Sequence, residues 1–198
     1  MTVTADQVRQ LREQTGAGMM ECKKALVEAA GDFEKAIDAL RKSGIARAEK
    51  RSDRAVSEGL VESYIHPGNR VGVLIEVNCE TDFVARTEEF SELVRNLAMQ
   101  AAAAGAEFVR REDVPADRVE RERGIFSAQV AAQGKPAAVL EKIVEGKLKK
   151  FYSEVCLLEQ PYIRDDSLTV SDVVQQVAAK TGENIVVRRF ARFRLGQE

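Results

Sequence analysis

Side chains able to do covalent chemistry are thinly spread in this chain. Its one histidine, His66, sits in the turn-forming run His66-Pro67-Gly68-Asn69, and its three cysteines, Cys22, Cys79 and Cys156, are far apart with no Cys-x-x-Cys pair. A Cys–His nucleophile or a zinc site needs those residue types to converge, so we expect no catalytic residue, no metal ligand and no cofactor. An odd number of separated cysteines reads as free thiols in a reducing compartment, buried bystanders by default. The phosphate-loop pattern Gly-x-x-x-x-Gly-Lys-Ser/Thr is absent, so the chain is not expected to hold GTP itself. What remains is non-covalent work, and one stretch is built for it: Glu76-Val77-Asn78-Cys79-Glu80-Thr81-Asp82-Phe83-Val84-Ala85-Arg86. It leaves an apolar strand, crosses a polar turn carrying Phe83 directly after Asp82, and enters a helix. Such a turn can present a large apolar side chain to a partner. Taken alone, a phenylalanine after a strand is more often core.

The elements that must position this turn follow from hydrophobic spacing. Leu60–Ile65 and Val71–Val77 alternate and read as a hairpin across His66–Asn69. Before it stand three short helices. Thr4-Ala5-Asp6-Gln7 is a capping box for the first, with Val8 and Leu11 on one face, and Thr15–Gly18 breaks it. The second runs from about Met19 to Ala30 with Leu26 inward and Gly31 as terminator. Asp32 caps the third, striped by Phe33, Ile37 and Leu40 and expected to end at Gly44. Ile45–Ala55, with Arg47, Lys50, Arg51 and Arg54 among alanines, reads as a helical or flexible solvated connector.

After the hairpin we expect helices over Thr87–Ala104, Ala116–Gln133 and Pro136–Lys150, the last two separated by Gly134-Lys135-Pro136. Glu154–Pro161 reads as irregular, Ser171–Lys180 as a short helix, and Asn184–Leu195 as a strand able to join the hairpin in space. The fold class is α+β: an N-terminal three-helix, ubiquitin-associated-like domain at 1–45, a basic linker at 46–56, and a core at 57–198 with a small three-stranded antiparallel sheet and helices on one face. The other face is left apolar and open, an expected surface for homodimerisation.

Composition fits this reading. The chain has 198 residues, is 44% apolar and 31% charged, and carries a net charge of −2. That is globular rather than disordered and argues against a dedicated nucleic-acid binder. No segment approaches the length of a membrane span, and Met1–Gln10 is too polar for a secretory signal. We expect a cytoplasmic protein with no membrane contact and no direct nucleic-acid contact.

Two long segments, in the right order, resemble bacterial translation elongation factor Ts. They are Leu11-Arg12-Glu13-Gln14-Thr15-Gly16-Ala17-Gly18-Met19-Met20-Glu21-Cys22-Lys23-Lys24-Ala25-Leu26 and the turn segment above. Gly182–Phe190, Lys135-Pro136 and Glu145–Phe151 also look like that family, and the length is similar to its short forms. The resemblance implies a guanine-nucleotide exchange factor for elongation factor Tu that does no covalent chemistry and pairs through its core sheet. It implies that Arg12, Gly18, Met19 and Met20 form a docking edge, with one methionine expected inside the small domain. It also implies that Thr81, Asp82, Phe83 and Val84 form the exchange element, with Phe83 wedging near the partner's magnesium and phosphate sites. Many members carry histidine where Gln100 stands and proline where Ala106 stands, in a region that touches the partner.

Two other classes are compatible with parts of the sequence. One is an enzyme of unrecognised type, poorly supplied with catalytic groups. The other joins the helical module to a ribosome- or RNA-binding domain using the basic linker and Arg188–Arg194, against which the net acidity counts.

Overall fold

The computed structural model describes residues 3–49, 51, 53–131 and 136–197, with the backbone alone at 45–49. Lys50 and the expected break at Gly134-Lys135, like Gln133 and the side chain of Arg47, lie outside the described residues. The fold is α+β. Three helices, Ala5–Thr15 (α1), Met19–Glu28 (α2) and Phe33–Glu49 (α3), precede a hairpin of Glu58–Ile65 (β1) and Val71–Cys79 (β2). A four-residue helix, Asp82–Ala85 (α4), leads to Glu88–Ala104 (α5), Ala116–Ala131 (α6) and Ala137–Val155 (α7). A small ribbon of Pro161–Tyr162 (β3) and Asp165–Thr169 (β4), a helix Val170–Thr181 (α8) and the strand Val186–Arg194 (β5) complete the chain. The main sheet is antiparallel in the order β1-β2-β5, so the last strand does join the hairpin.

The chain divides into two compact units. The first comprises Met1–Gly59, Asn78–Phe90 and Val174–Val186. Its three N-terminal helices close around Val8, Leu11, Cys22, Ala25, Leu26, Ala36 and Leu40, with Phe33 and Ile37 packed against them. This is the expected stripe, joined by Cys22. The Thr4 capping box forms, and Asp32 Oδ1 accepts the Lys35 amide at 3.1 Å. Gly16 ends α1 at φ 67°, a left-handed conformation that glycine adopts without Cβ strain.

Gly44 does not end α3, which continues to Glu49. A single interior glycine costs only about 1 kcal/mol, and the alanine-rich sequence beyond it favours helix. Part of the expected linker is therefore helix.

The second unit comprises Leu60–Val77, Ser91–Val173 and Val187–Glu198. Alternation along β2 buries Val73, Ile75 and Val77 and exposes Leu74. On the open face Val61, Ile65, Leu74 and Phe193 are exposed, beside an ion pair of Arg189 Nε with Glu76 Oε2 at 2.7 Å. The helical part has its core at Val114, Phe151, Val155 and Cys156, continued by Val130, Val144 and Leu148 between α6 and α7.

Two sequence expectations are corrected here. Helix α7 runs one turn past Lys150 to Val155, because Phe151 and Val155 fall on its buried stripe. The stretch after it is ordered rather than irregular: a 3₁₀ turn at Leu157–Glu159 leads into the β3–β4 ribbon. That ribbon is anchored by Gln100, which is fully buried. Gln100 Nε2 donates to Gln160 Oε1 at 3.2 Å and Pro161 O at 3.1 Å, and its Oε1 accepts the Ile163 amide at 2.8 Å. Gln100 is thus an internal clamp and not a surface contact.

Candidate partner-binding site

The turn that follows β2 is built by backbone capping. Thr81, extended at φ −128°, is the N-cap of α4, its Oγ1 accepting the Val84 amide at 3.4 Å. Asp82 is the first residue of the helix and pairs across one turn with Arg86, Oδ2 to Nη2 at 3.0 Å. This leaves Phe83 on the outer side of α4 at 81% exposure, while Ala85 is buried and Val84 half-buried. A phenylalanine this exposed is uncommon, so Phe83 is not a core side chain.

The turn is fastened from 102 residues away in sequence. The Glu183 carboxylate, just past the end of α8, accepts three hydrogen bonds. Oε2 takes the Glu80 amide at 3.0 Å and the Thr81 amide at 3.1 Å, and Oε1 takes the Thr81 hydroxyl at 2.6 Å. The clasp is reciprocal, because Glu80 Oε1 accepts the Asn184 amide at 2.6 Å. Arg54 Nη1 reaches the same Glu80 carboxylate at 3.4 Å, and Asn184 Nδ2 donates to the Arg54 carbonyl at 3.1 Å. Cys79, buried below the turn, donates its thiol to Thr81 O at 3.2 Å. Burial, and then the neighbouring Glu183 charge, push this thiol up to about 11. The Glu183-Asn184 contribution escaped the sequence reading. The signal available was a polar Gly-Glu-Asn run closing a helix, with nothing to indicate its distant partner.

The second group surrounds the α1–α2 turn. Arg12 is exposed in the last turn of α1, and Gly18, Met19 and Met20 are exposed at the start of α2. Met19 is 43% and Met20 75% exposed, so neither packs inside the small domain. Both groups belong to the same compact unit. They are linked indirectly through Lys180, whose stem lies against Gly16 and whose Nζ pairs with Glu89 Oε1 at 2.5 Å.

The imidazole and the thiols make separate contacts. His66 is exposed in its turn beside the Tyr64 hydroxyl, 3.1 Å from Nδ1. Cys22, Cys79 and Cys156 are buried free thiols. Among the described residues no group of His, Cys, Asp and Glu side chains is placed to hold a metal ion, and no helix is long and apolar enough to cross a membrane.

Comparison with known proteins gives one consistent result. The family model for elongation factor Ts matches residues 4–197. The chain is 58% identical over 195 residues to the elongation factor Ts of Carboxydothermus hydrogenoformans, covering 98% of this chain and 90% of that protein. It is 58% identical to that of Caldanaerobacter subterraneus subsp. tengcongensis, covering 98% of each. It is 59% identical to that of Moorella thermoacetica, covering 98% of this chain and 96% of the relative. With a match from end to end, the chain belongs to the elongation factor Ts family of translation elongation factors.

Proposed function

We propose that this chain is a cytoplasmic guanine-nucleotide exchange factor that binds elongation factor Tu in its GDP form and promotes GDP release. The observation that carries the reading is Phe83, a large apolar side chain held in solvent on a capped and fastened turn. Inserted into the partner, it gives up its water contact and displaces whatever it wedges apart. Burial of one phenylalanine contributes on the order of 2–3 kcal/mol. Magnesium tolerates little departure from octahedral geometry, so that energy, directed at the magnesium and phosphate site, loosens GDP without any covalent step. Asp82, tied to Arg86, lies beside the wedge, with Thr81 and Val84 as its frame.

In this reading residues 1–45 form the docking domain, presenting Met19 and Met20 beside Gly18 and Arg12. Methionine side chains adapt to a partner surface at little cost. Residues 46–56 connect it to the core at 57–198. The open sheet face with Val61, Ile65, Leu74 and Phe193 is covered by a second copy of the chain. Neither nucleic acid nor membrane is a direct partner.

Linkage fixes a further property. Whatever factor weakens GDP binding when this protein is bound, GDP weakens this protein's binding by the same factor. The nucleotide-free partner is therefore its tightest target. The test is release of a fluorescent GDP from preloaded elongation factor Tu in excess unlabelled GDP. Acceleration at micromolar protein supports the assignment, and an unchanged rate overturns it.

A further inference from the structure

We propose that Glu183 is a positioning residue for exchange, holding the Glu80–Thr81 turn in the one conformation that aims Phe83 at the partner. The inference rests on the exchange reading above and adds a residue outside the expected exchange element.

A four-residue helix has too few internal hydrogen bonds to hold itself. Helix α4 is N-capped by Thr81, the Thr87 hydroxyl donates to Val84 O at 2.8 Å at its other end, and the Asp82–Arg86 pair beside it is exposed and weak. An unsupported turn would sample many directions for Phe83, and each productive encounter would meet the cost of ordering it. Glu183 removes that freedom at the pivot. A single carboxylate takes two consecutive backbone amides and the hydroxyl of the N-cap residue itself, at 3.0, 3.1 and 2.6 Å. Hydrogen bonds to a charged acceptor are roughly twice as strong as neutral ones. Because Thr81 Oγ1 donates to Glu183, its lone pairs stay free to cap Val84, so the distant carboxylate also sets the direction in which the cap works. The return bond from the Asn184 amide to Glu80 Oε1 at 2.6 Å prevents the two segments from sliding past one another.

The chemistry separates the candidate substitutions. Glutamine keeps an oxygen for the two amides and turns its NH₂ toward the Thr81 hydroxyl, which can accept. Alanine leaves all three donors without this acceptor.

The test is a double-mutant cycle on the full chain, reading kcat and KM for fluorescent GDP release from elongation factor Tu. Glu183→Ala is expected to lower kcat/KM about tenfold, and Glu183→Gln to recover most of that loss. In a Phe83→Ala background, Glu183→Ala is expected to cost less than about twofold, because its effect is delivered through Phe83. Should Glu183→Ala melt below the assay temperature, Thr81→Val replaces it: it deletes the hydroxyl's bond to Glu183 together with its cap on the Val84 amide, leaves both backbone amides on the carboxylate, and is expected to cost about threefold, again only when Phe83 is present. Equal losses with and without Phe83 overturn the positioning role, since they indicate general destabilisation. Wild-type rates in Glu183→Ala overturn it alone, leaving the exchange reading standing if Phe83→Ala is slow. Wild-type rates in Phe83→Ala overturn both.

Discussion

At the scale of single residues, the chain separates inert side chains from working ones by burial. Cys79 and Cys156 are buried, and burial, followed by neighbouring carboxylates, pushes both thiols up to about 11 from an ordinary 9.0. Thiolate is the reactive form, so iodoacetamide near neutral pH is expected to label neither until the protein unfolds. Rapid labelling of the native protein at either position contradicts this. The same shift has a sign for stability. The folded state holds these protons more tightly than the unfolded state, so their contribution is complete below about pH 9 and is lost as pH rises toward about 11. Phe83 is the opposite case, a side chain of the type most often buried but left in solvent. Its neighbourhood was legible in the sequence because strand alternation stops at Cys79 and a polar turn follows. Its exposure was not readable from periodicity, which assigns no face to a helix of four residues, and was expected only through the family resemblance of the motif.

At the scale of elements, boundaries set by local chemistry were readable and those set by distant partners were not. The Thr4 box, the Gly16 stop and the Asp32 cap act within a few residues, and they stand where spacing places them. The overrun of α3 past Gly44, the extra turn of α7 and the β3–β4 ribbon depend on packing or on partners far along the chain. Gln100 shows this most clearly. On sequence it is one polar residue on a helix; in the fold it bonds Gln160, Pro161 and Ile163, about 60 residues on. Gln100→Leu strands the Ile163 amide and removes the Nε2 donor from the buried Gln160 Oε1 and from the Pro161 carbonyl, an expected loss of about 3 kcal/mol. In a protein of this size that is a fall in Tm of about 10 °C, measured by calorimetry. A Tm change within about 2 °C contradicts the clamp. The fastening of the Glu80–Thr81 turn by Glu183 is of the same kind, two loops joined across 102 residues.

At the scale of the whole molecule, the sequence reading of an α+β fold with a three-stranded sheet is borne out, and the open apolar face is the surface on which we propose that a second copy of the chain sits. Light scattering after gel filtration is expected to give the mass of two chains for the wild type and one for Leu74→Arg/Phe193→Asp. A single-chain mass for the wild type contradicts pairing through the sheet. The account as a whole depends on one side chain. Release of fluorescent GDP from elongation factor Tu, compared between wild type and Phe83→Ala at equal concentration, tests it most directly. Loss of about 2–3 kcal/mol of wedge burial predicts a decrease in kcat/KM of about 30- to 160-fold with an unchanged melting profile. A Phe83→Ala protein that releases GDP as fast as wild type contradicts the account.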